Sequence, residues 1–217
     1  MMYSDYNIKE ALSSGHIVID PISENQIQPA SVDLRLGTHF QMPVRKDWAN
    51  LSTKMEYKSI NKSGFKLYPG KMVLATTMEK VSLPLDVAAM LEGRSSIGRL
   101  GLFIHNAGFI DPGWDGQITL ELINMGPSPL FLESGRRICQ ILFYELKDPC
   151  TVGYSGKYQH QVGATGSKIY QDIEVVLKEK HQKFVRLADE NVDEDELEDV
   201  SVGAGMTDDY CEELGED

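Results

Sequence analysis

The 217-residue chain is poor in cysteine: it has only Cys139, Cys150 and Cys211, and no two of them form a Cys-x-x-Cys pair. A disulfide framework is therefore not expected, which favours a reducing, cytoplasmic location. No apolar run approaches the roughly 20 residues of a membrane-spanning helix, and the first residues lack a signal-peptide pattern. Basic patches interleaved with aromatic residues are also missing, so we expect neither a membrane nor a nucleic acid as a partner.

The acidic charge of the chain is confined to one region. The net charge is -12, but residues 189–217 contain fourteen Asp or Glu residues and no Lys or Arg. Residues 1–188 are left with 19 acidic and 21 basic side chains, so this part does not repel an anionic ligand. A segment rich in like charge and poor in apolar residues cannot bury enough surface to fold alone. We therefore predict a disordered tail over 189–217.

The rest of the chain consists mainly of short apolar runs separated by Gly, Pro, Asn and Asp, a pattern typical of an all-β barrel or a jelly-roll-like sandwich with minor helices. The clearest predicted strands are residues 17–19, 71–77, 117–123 and 138–146. A first helix should be capped by Ser4 or Asp5 and end at Gly15, and helical spacing predicts an amphipathic helix over about 171–188. Residues 85–91 suggest a helical turn, and the Gly- and Ser-rich residues 153–167 suggest a mobile loop.

A motif in the middle of the chain carries groups suited to phosphate and proton chemistry. Residues 94–99 read Arg-Ser-Ser-Ile-Gly-Arg, and Asp111 and Glu121 follow within thirty residues. Arginine forks and serine hydroxyls bind phosphate oxygens, and a carboxylate on an apolar strand suits proton transfer. Each feature also has an ordinary interpretation: a polar loop, a turn aspartate before Pro-Gly, and a solvent-facing glutamate.

The strand that contains Glu121 should alternate between two environments. Ile118, Leu120 and Leu122 are expected on one face, and Thr119, Glu121 and Ile123 on the other. An apolar neighbourhood would raise the pKa of the Glu121 carboxyl and suit it to proton shuttling.

A zinc-dependent deaminase site is not expected. Such sites need a Pro-Cys-x-x-Cys pair and a His-x-Glu sequence to hold the metal and move the proton. The chain has Pro149-Cys150 without a second cysteine at the right distance, and it has no His-x-Glu.

Taken in order, these motifs resemble the dCTP deaminase and trimeric dUTPase superfamily, most closely its deaminases and bifunctional deaminase-dUTPases. The similarity covers roughly residues 1–168 and includes residues 28–37, whose Asp33 matches an aspartate near the phosphates or the subunit contact. It implies a distorted β-barrel domain over 1–168 with a lid segment at residues 153–168. A helical extension (169–188) and the acidic tail (189–217) fall outside the superfamily's usual end.

The resemblance also implies roles for individual residues. Glu121 would activate water and shuttle the proton, Ser95 and Arg99 would position the water and stabilise charge, and Asp111 would lie beside the 3′-hydroxyl and orient a water in dUTP hydrolysis. The nucleotide would be bound by Arg94, Ser96, Ile97, Gly98, Thr119, Leu120, Gln140, Tyr154, Lys157 and Gln161. Magnesium would enter on the triphosphate without a direct protein ligand, and the assembly would be a homotrimer with shared active sites.

The match has departures that leave the substrate open. The segment from His105 to Asp111 is one residue shorter than in most deaminases, with Asn106 in place of a threonine, which resembles some dUTPases. Three hypotheses follow: deamination of dCTP to dUTP, with or without continuation to dUMP and pyrophosphate; hydrolysis of dUTP alone; or a catalytically silent binding protein whose helix and tail contact a partner.

Overall fold

A computed structural model describes residues 1–44, 46, 49–105 and 108–189, without the side chains of residues 105, 179 and 184–189. Asn106 and all but the first residue of the predicted acidic tail lie outside the described residues. The chain divides into two units: the first comprises Met1–Trp48 and Met55–Ser167, and the second comprises Ala49–Lys54 and Lys168–Asp217.

The first unit is built from antiparallel strands, as the all-β prediction requires. Seven strands of a ten-stranded sheet follow the order β8-β10-β6-β3-β12-β7-β9, with β1 paired to β6 and with β2 and β4 paired to β3. β5 and β11 form a separate pair. The strands are β1 Val18–Asp20, β2 Ile27–Gln28, β3 Ser31–Pro43, β4 Tyr57–Asn61, β5 Gly64–Leu67, β6 Met72–Ser82, β7 Val87–Gly93, β8 Leu102–His105, β9 Phe109–Ile110, β10 Asp115–Asn124, β11 Leu130–Glu133 and β12 Arg137–Glu145.

The core of this unit lies on the inner face of the curled sheet. β10 alternates strictly: Ile118, Leu120 and Leu122 are buried, whereas Thr119 and Glu121 are half-buried on the opposite face. This confirms the alternation expected from the sequence, and it follows from the two-residue repeat of a strand with one face on an apolar core. Because the register is set by burial, Glu121 is held on the outward face.

One local prediction is wrong. Residues 85–91 do not form a helical turn, because β7 runs over Val87–Gly93 between β12 and β9. Val87, Ala88, Ala89 and Leu91 are all buried. A central strand covered on both faces has a continuous apolar run, which periodicity alone does not distinguish from a short helix.

The helices are few. α1 (Asp5–Ser13) begins at Ser4, whose hydroxyl accepts the Asn7 N–H while the Asn7 side chain accepts from the Ser4 backbone, so the predicted cap is confirmed. α2 is a single turn over Ser95–Gly98, and short 3-10 turns occupy Glu24–Gln26 and Ile169–Gln171. In the second unit α3 covers Ile173–Asp189, where the sequence predicts a helix. No helix within the described residues is long and apolar enough to cross a membrane.

Candidate active site

The arginine-serine motif forms a compact turn directly after β7. The Arg94 carbonyl accepts from the Ile97 and Gly98 amides at 2.9 and 3.0 Å, and the short helix α2 follows. Ser95, Ser96, Gly98 and Arg99 are exposed, whereas Ile97 is half-buried against the core. The hydroxyls and the second arginine are therefore accessible to a ligand.

Arg94 itself is anchored on a buried carboxylate. Its Nε lies 3.2 Å from Asp33 Oδ1, and its Nη1 donates to the Arg137 carbonyl at 3.3 Å. Arg137 Nη1 lies 3.2 Å from the other oxygen, Asp33 Oδ2. The Asp33 side chain is only 2% exposed. Burial raises the pKa of this carboxyl above its usual value, although the charges of Arg94 and Arg137 act in the opposite direction.

Gln140 belongs to the same region. It lies on β12 opposite Asp33 of β3 and Glu92 of β7, and its Oε1 accepts from the Ser31 hydroxyl at 3.5 Å. The side chain is half-buried. The strand pairing thus brings Gln140 close to Asp33 and Arg94, although both residues are distant from it in the sequence.

Glu121 lies on the outward face of β10, between two neighbouring strands. It is paired with Leu74 of β6 and His105 of β8, and its Oε2 atom is buried from solvent. Leu120 points into the core, so its side chain is not available to a ligand, and the Thr119 hydroxyl accepts the Thr165 N–H at 3.0 Å. The strand therefore presents one carboxylate in a partly desolvated position.

Asp111 follows β9 at the start of a turn. The Trp114 amide donates to the Asp111 carbonyl at 3.2 Å, and Gly113 takes the positive φ of 81° that the turn needs. The Asp111 side chain is exposed. The turn reading and the functional reading are thus compatible, since the turn leaves the carboxylate accessible.

The lid segment is bonded to the barrel along this turn and along β10. Tyr154 donates its amide to Pro112 O at 2.8 Å and its ring lies 5.5 Å from that of Trp114. Gln161 Nε2 donates to Gln117 O at 2.7 Å, and the Gly163 amide donates to Gln117 Oε1 at 2.7 Å. Lys157 Nζ lies 6.0 Å from the Tyr158 ring centroid. The residues predicted as a mobile loop therefore form a docked segment in this structure.

Asp115, which no sequence motif contains, links the lid segment to the sheet through its side chain. Asp115 Oδ2 lies 2.7 Å from His160 Nδ1, and Asp115 Oδ1 lies 2.8 Å from Lys80 Nζ and accepts the Ser82 hydroxyl. Burial opposes ionisation here, but the hydrogen bonds from Lys80, Ser82 and His160 and the charge of Lys80 outweigh it and lower the pKa of Asp115 to about 2. His160 has a positive φ of 58°, unusual for a residue with a side chain. No motif pointed to this cluster.

A cavity of about 350 Å³ lies beside the docked segment. None of the residues predicted from the sequence lines it. Its walls come from β3, β4, β6, β10 and the lid segment: Gly37, Thr38, His39, Asn61, Thr76, Met78, Gln117, Val162 and Gly163.

The predicted residues thus fall into groups on different strands. Arg94 and Gln140 gather around Asp33, whereas Thr119, Glu121 and Gln161 lie along β10. Within the described part of the chain, no group of three His, Cys, Asp or Glu side chains is placed to hold a metal ion.

The fold and these groups define a class: a mostly β protein with a curled antiparallel sheet. The crystal structure of 2′-deoxycytidine 5′-triphosphate deaminase from Agrobacterium tumefaciens matches with a TM-score of 0.53 and 25% identity, over 65% of this chain and 47% of that one. A family model described as dCTP deaminase-like matches residues 2–146, and the chain belongs to this family.

Curated relatives are similar over almost their whole length. A protein of Persephonella marina is 43% identical over 180 residues, which is 79% of this chain and 99% of the relative. Proteins of Dictyoglomus thermophilum and Methanosphaera stadtmanae are 46% and 44% identical, covering 79% and 80% of this chain and 96% of each relative. All three are named dCTP deaminase, dUMP-forming.

Proposed function

We propose that this protein hydrolyses dCTP to dUMP in two steps. Water replaces the C4 amino group, releasing ammonia and forming dUTP, and a second water then releases pyrophosphate and leaves dUMP. The observation that carries the proposal is the similarity to relatives named dUMP-forming, each covered over 96% or more of its length.

Glu121 is the residue proposed to move the proton in the first step. It takes a proton from the attacking water and delivers it to the departing amine, so that a hydroxyl equivalent adds to C4 and ammonia leaves. The buried position of Oε2 supports this role, because it keeps part of the carboxylate away from bulk water. Ser95 and Arg99 position the water and stabilise the developing charge.

Asp111 is proposed to orient the water of the second step. Its exposed carboxylate stands on the turn whose Pro112 carbonyl accepts the Tyr154 amide, and the docked lid segment would help to exclude bulk water there. Arg94, Ser96, Ile97 and Gly98 bind the triphosphate, and Mg²⁺ enters on its phosphates rather than on protein ligands. No zinc takes part in this proposal, and the enzyme works in the cytoplasm, where its nucleotide substrate is.

We also infer a homotrimer with shared sites. The support is the separation of the predicted residues into groups, together with an apolar surface at one end of the sheet. Phe103 of the terminal strand β8 is 58% exposed opposite Ile123, and Leu100 and Met125 nearby in sequence are exposed as well. Exposed apolar side chains grouped at a sheet edge commonly mark an interface.

The first test is incubation of the protein with dCTP and, separately, dUTP, each with Mg²⁺, followed by separation of the products. The proposal expects dCTP to yield dUMP with equimolar ammonia and pyrophosphate. dUTP as the final product would remove the second step. Turnover of dUTP alone would replace the proposal with a dUTPase, and binding without turnover would replace it with a binding protein.

Two variants separate the steps. Glu121→Gln should lower ammonia release by about 10²- to 10⁴-fold while dCTP still binds, because the amide cannot transfer the proton. Asp111→Asn should let dUTP accumulate. Glu133→Gln, which removes an exposed carboxylate on β11, is the matched control and should leave both products unchanged. An unimpaired Glu121→Gln enzyme would exclude the proposed proton shuttle.

A further inference from the structure

The contacts of Arg94 involve two of the three nitrogen atoms of its guanidinium group. Nε faces Asp33 Oδ1 at 3.2 Å, and Nη1 donates to the Arg137 carbonyl at 3.3 Å. A guanidinium carries five N–H donors in a fixed plane, and the contacts that the structure shows do not include Nη2. The side chain is 28% exposed. The group is therefore anchored through Nε and Nη1, and Nη2 is the nitrogen left to bind an anion.

The anchor is itself fixed from several directions. Arg137 Nη1 contacts Asp33 Oδ2 at 3.2 Å and donates to the Asn25 carbonyl at 2.8 Å. The backbone carbonyl of Asp33 accepts the Gln26 side-chain amide at 2.8 Å. With one oxygen on each arginine, the carboxylate cannot turn without losing an ion pair. Asp33 thus offers Arg94 a fixed negative charge on the Nε side of the guanidinium group.

Such a buried carboxylate is not an economical way to stabilise a fold. Its ionised form loses hydration, and apolar replacements of buried ion pairs are often at least as stable. What the arrangement supplies is orientation: long arginine side chains lose much rotamer freedom when they bind, and an anchored fork has lost it beforehand.

We propose that Asp33 and Arg137 are positioning residues that hold the Arg94 guanidinium ready for the triphosphate. This inference rests on the proposed function only in taking Arg94 as a phosphate ligand. Asp33 does not touch the substrate in this scheme. Asp33 acts by orienting Arg94, and the side chain of Arg137 acts by holding Asp33.

The same strand offers a matched control. Arg35, two residues after Asp33, forms a buried pair with Glu79: Nε lies 2.6 Å from Oε1, and the Arg35 amide donates to Oε2 at 2.9 Å. Glu79 is fully buried and also accepts the Gln26 side-chain amide at 2.9 Å. This pair resembles the Asp33 cluster in chemistry and shares the Gln26 amide with the Asp33 backbone, but its contacts in the described residues do not include Arg94.

The experiment measures binding of inorganic tripolyphosphate to the full chain by calorimetry, with unfolding followed in parallel. Asp33→Asn should weaken binding about 10- to 100-fold, the range for one well-oriented charge-assisted hydrogen bond. Arg137→Met should weaken tripolyphosphate binding about 3- to 10-fold. Because the Arg137 side chain is partly exposed, this variant replaces Asp33→Asn in the test if Asp33→Asn does not fold. Glu79→Gln should weaken binding clearly less than Asp33→Asn does, even where it unfolds more easily, because Glu79 reaches the cluster only through Gln26.

With dCTP as substrate, the positioning role predicts a rise in KM with little change in kcat, because the lost contact is made in both ground and transition states. Affinity for tripolyphosphate that is unchanged or tighter in Asp33→Asn and Arg137→Met would overturn the inference. So would an equal loss in Glu79→Gln, or a failure of the unsubstituted protein to bind tripolyphosphate. If dCTP is not deaminated but tripolyphosphate binding falls as expected, the proposed function fails and the inference stands.

Discussion

Asp33 and Asp115 each accept contacts from two basic side chains, yet their pKa values shift in opposite directions. Asp33 lies between Arg94 and Arg137, and its pKa is raised. Asp115 lies between Lys80 and His160, and its pKa falls to about 2. The side chain of Asp33 is 2% exposed, whereas that of Asp115 is 24% exposed.

The difference shows that the environment of a carboxylate counts as much as its partners. At Asp33 the loss of hydration exceeds the attraction of two guanidinium groups, whereas at Asp115 short hydrogen bonds act in a position that keeps some solvent. The first carboxylate is placed to orient Arg94, and the second fastens the lid segment to β10. One carboxylate is buried, and the other is partly exposed to solvent.

The largest expected difference between the two sites is the loss of folding stability when each carboxylate is removed. Asp33→Ala should lower the free energy of unfolding by about 2–3 kcal/mol, because it leaves two half-buried guanidinium groups without their shared carboxylate. Asp115→Ala should lower it by about 1–2 kcal/mol, since Lys80 and His160 can be hydrated. Urea unfolding near neutral pH measures both, and equal losses would show that burial does not separate the two sites.

Lowering the pH should change the stability contributions of Asp33 and Asp115 in opposite directions. The folded pKa of Asp115 lies below its unfolded value of 3.8, so its contribution is complete above about pH 4 and is lost as the pH falls towards 2. The loss should amount to about 2 kcal/mol and should be absent in Asp115→Asn. Asp33 has a raised pKa in the folded state, so the folded state binds its proton more readily than the unfolded state does. Its contribution to the free energy of unfolding therefore increases as the pH falls, opposite to that of Asp115. A chemical denaturation series from pH 2 to 6 checks both signs.

The smallest effect concerns the attachment of the lid segment. His160→Gly removes the contact with Asp115 but also relieves the positive φ, so amide exchange at Gly163 and Ala164 should rise only about 2- to 5-fold. His16→Ala is the control. It removes a comparable histidine–aspartate pair, His16 Nε2 to Asp86 Oδ2 at 3.1 Å, that does not involve Asp115. Exchange as slow as in the unsubstituted protein would show that the other hydrogen bonds hold the segment alone.

Local patterns predicted much of the fold because they report local physics. Ser4 was identifiable as a cap, and the alternation along residues 118–123 predicted which side of β10 carries Glu121. The same reasoning failed at β7, whose residues are apolar on both faces. It also found no partners for residues 153–167, because their hydrogen bonds go to β10 and to the turn after β9, and composition does not reveal such contacts.

The proposed site residues could be selected from the sequence where they occur in compact motifs, as Arg94, Asp111 and Glu121 do. Their partners were not. Arg137 reaches Asp33 across 104 residues, and His160 reaches Asp115 across 45. Neither pair has a spacing that a motif could encode, because each depends on which strands become neighbours.

By itself the sequence determined the strand-rich composition, the family and the short segments that carry the chemistry, because these depend on residue type and on spacing along the chain. The tertiary structure alone decided that Asp33 is a buried anchor for Arg94 and that Asp115 is a half-exposed anchor for the lid segment. The reason is physical: an aspartate has the same chemistry everywhere in a sequence, and only folding sets its hydration and its neighbours.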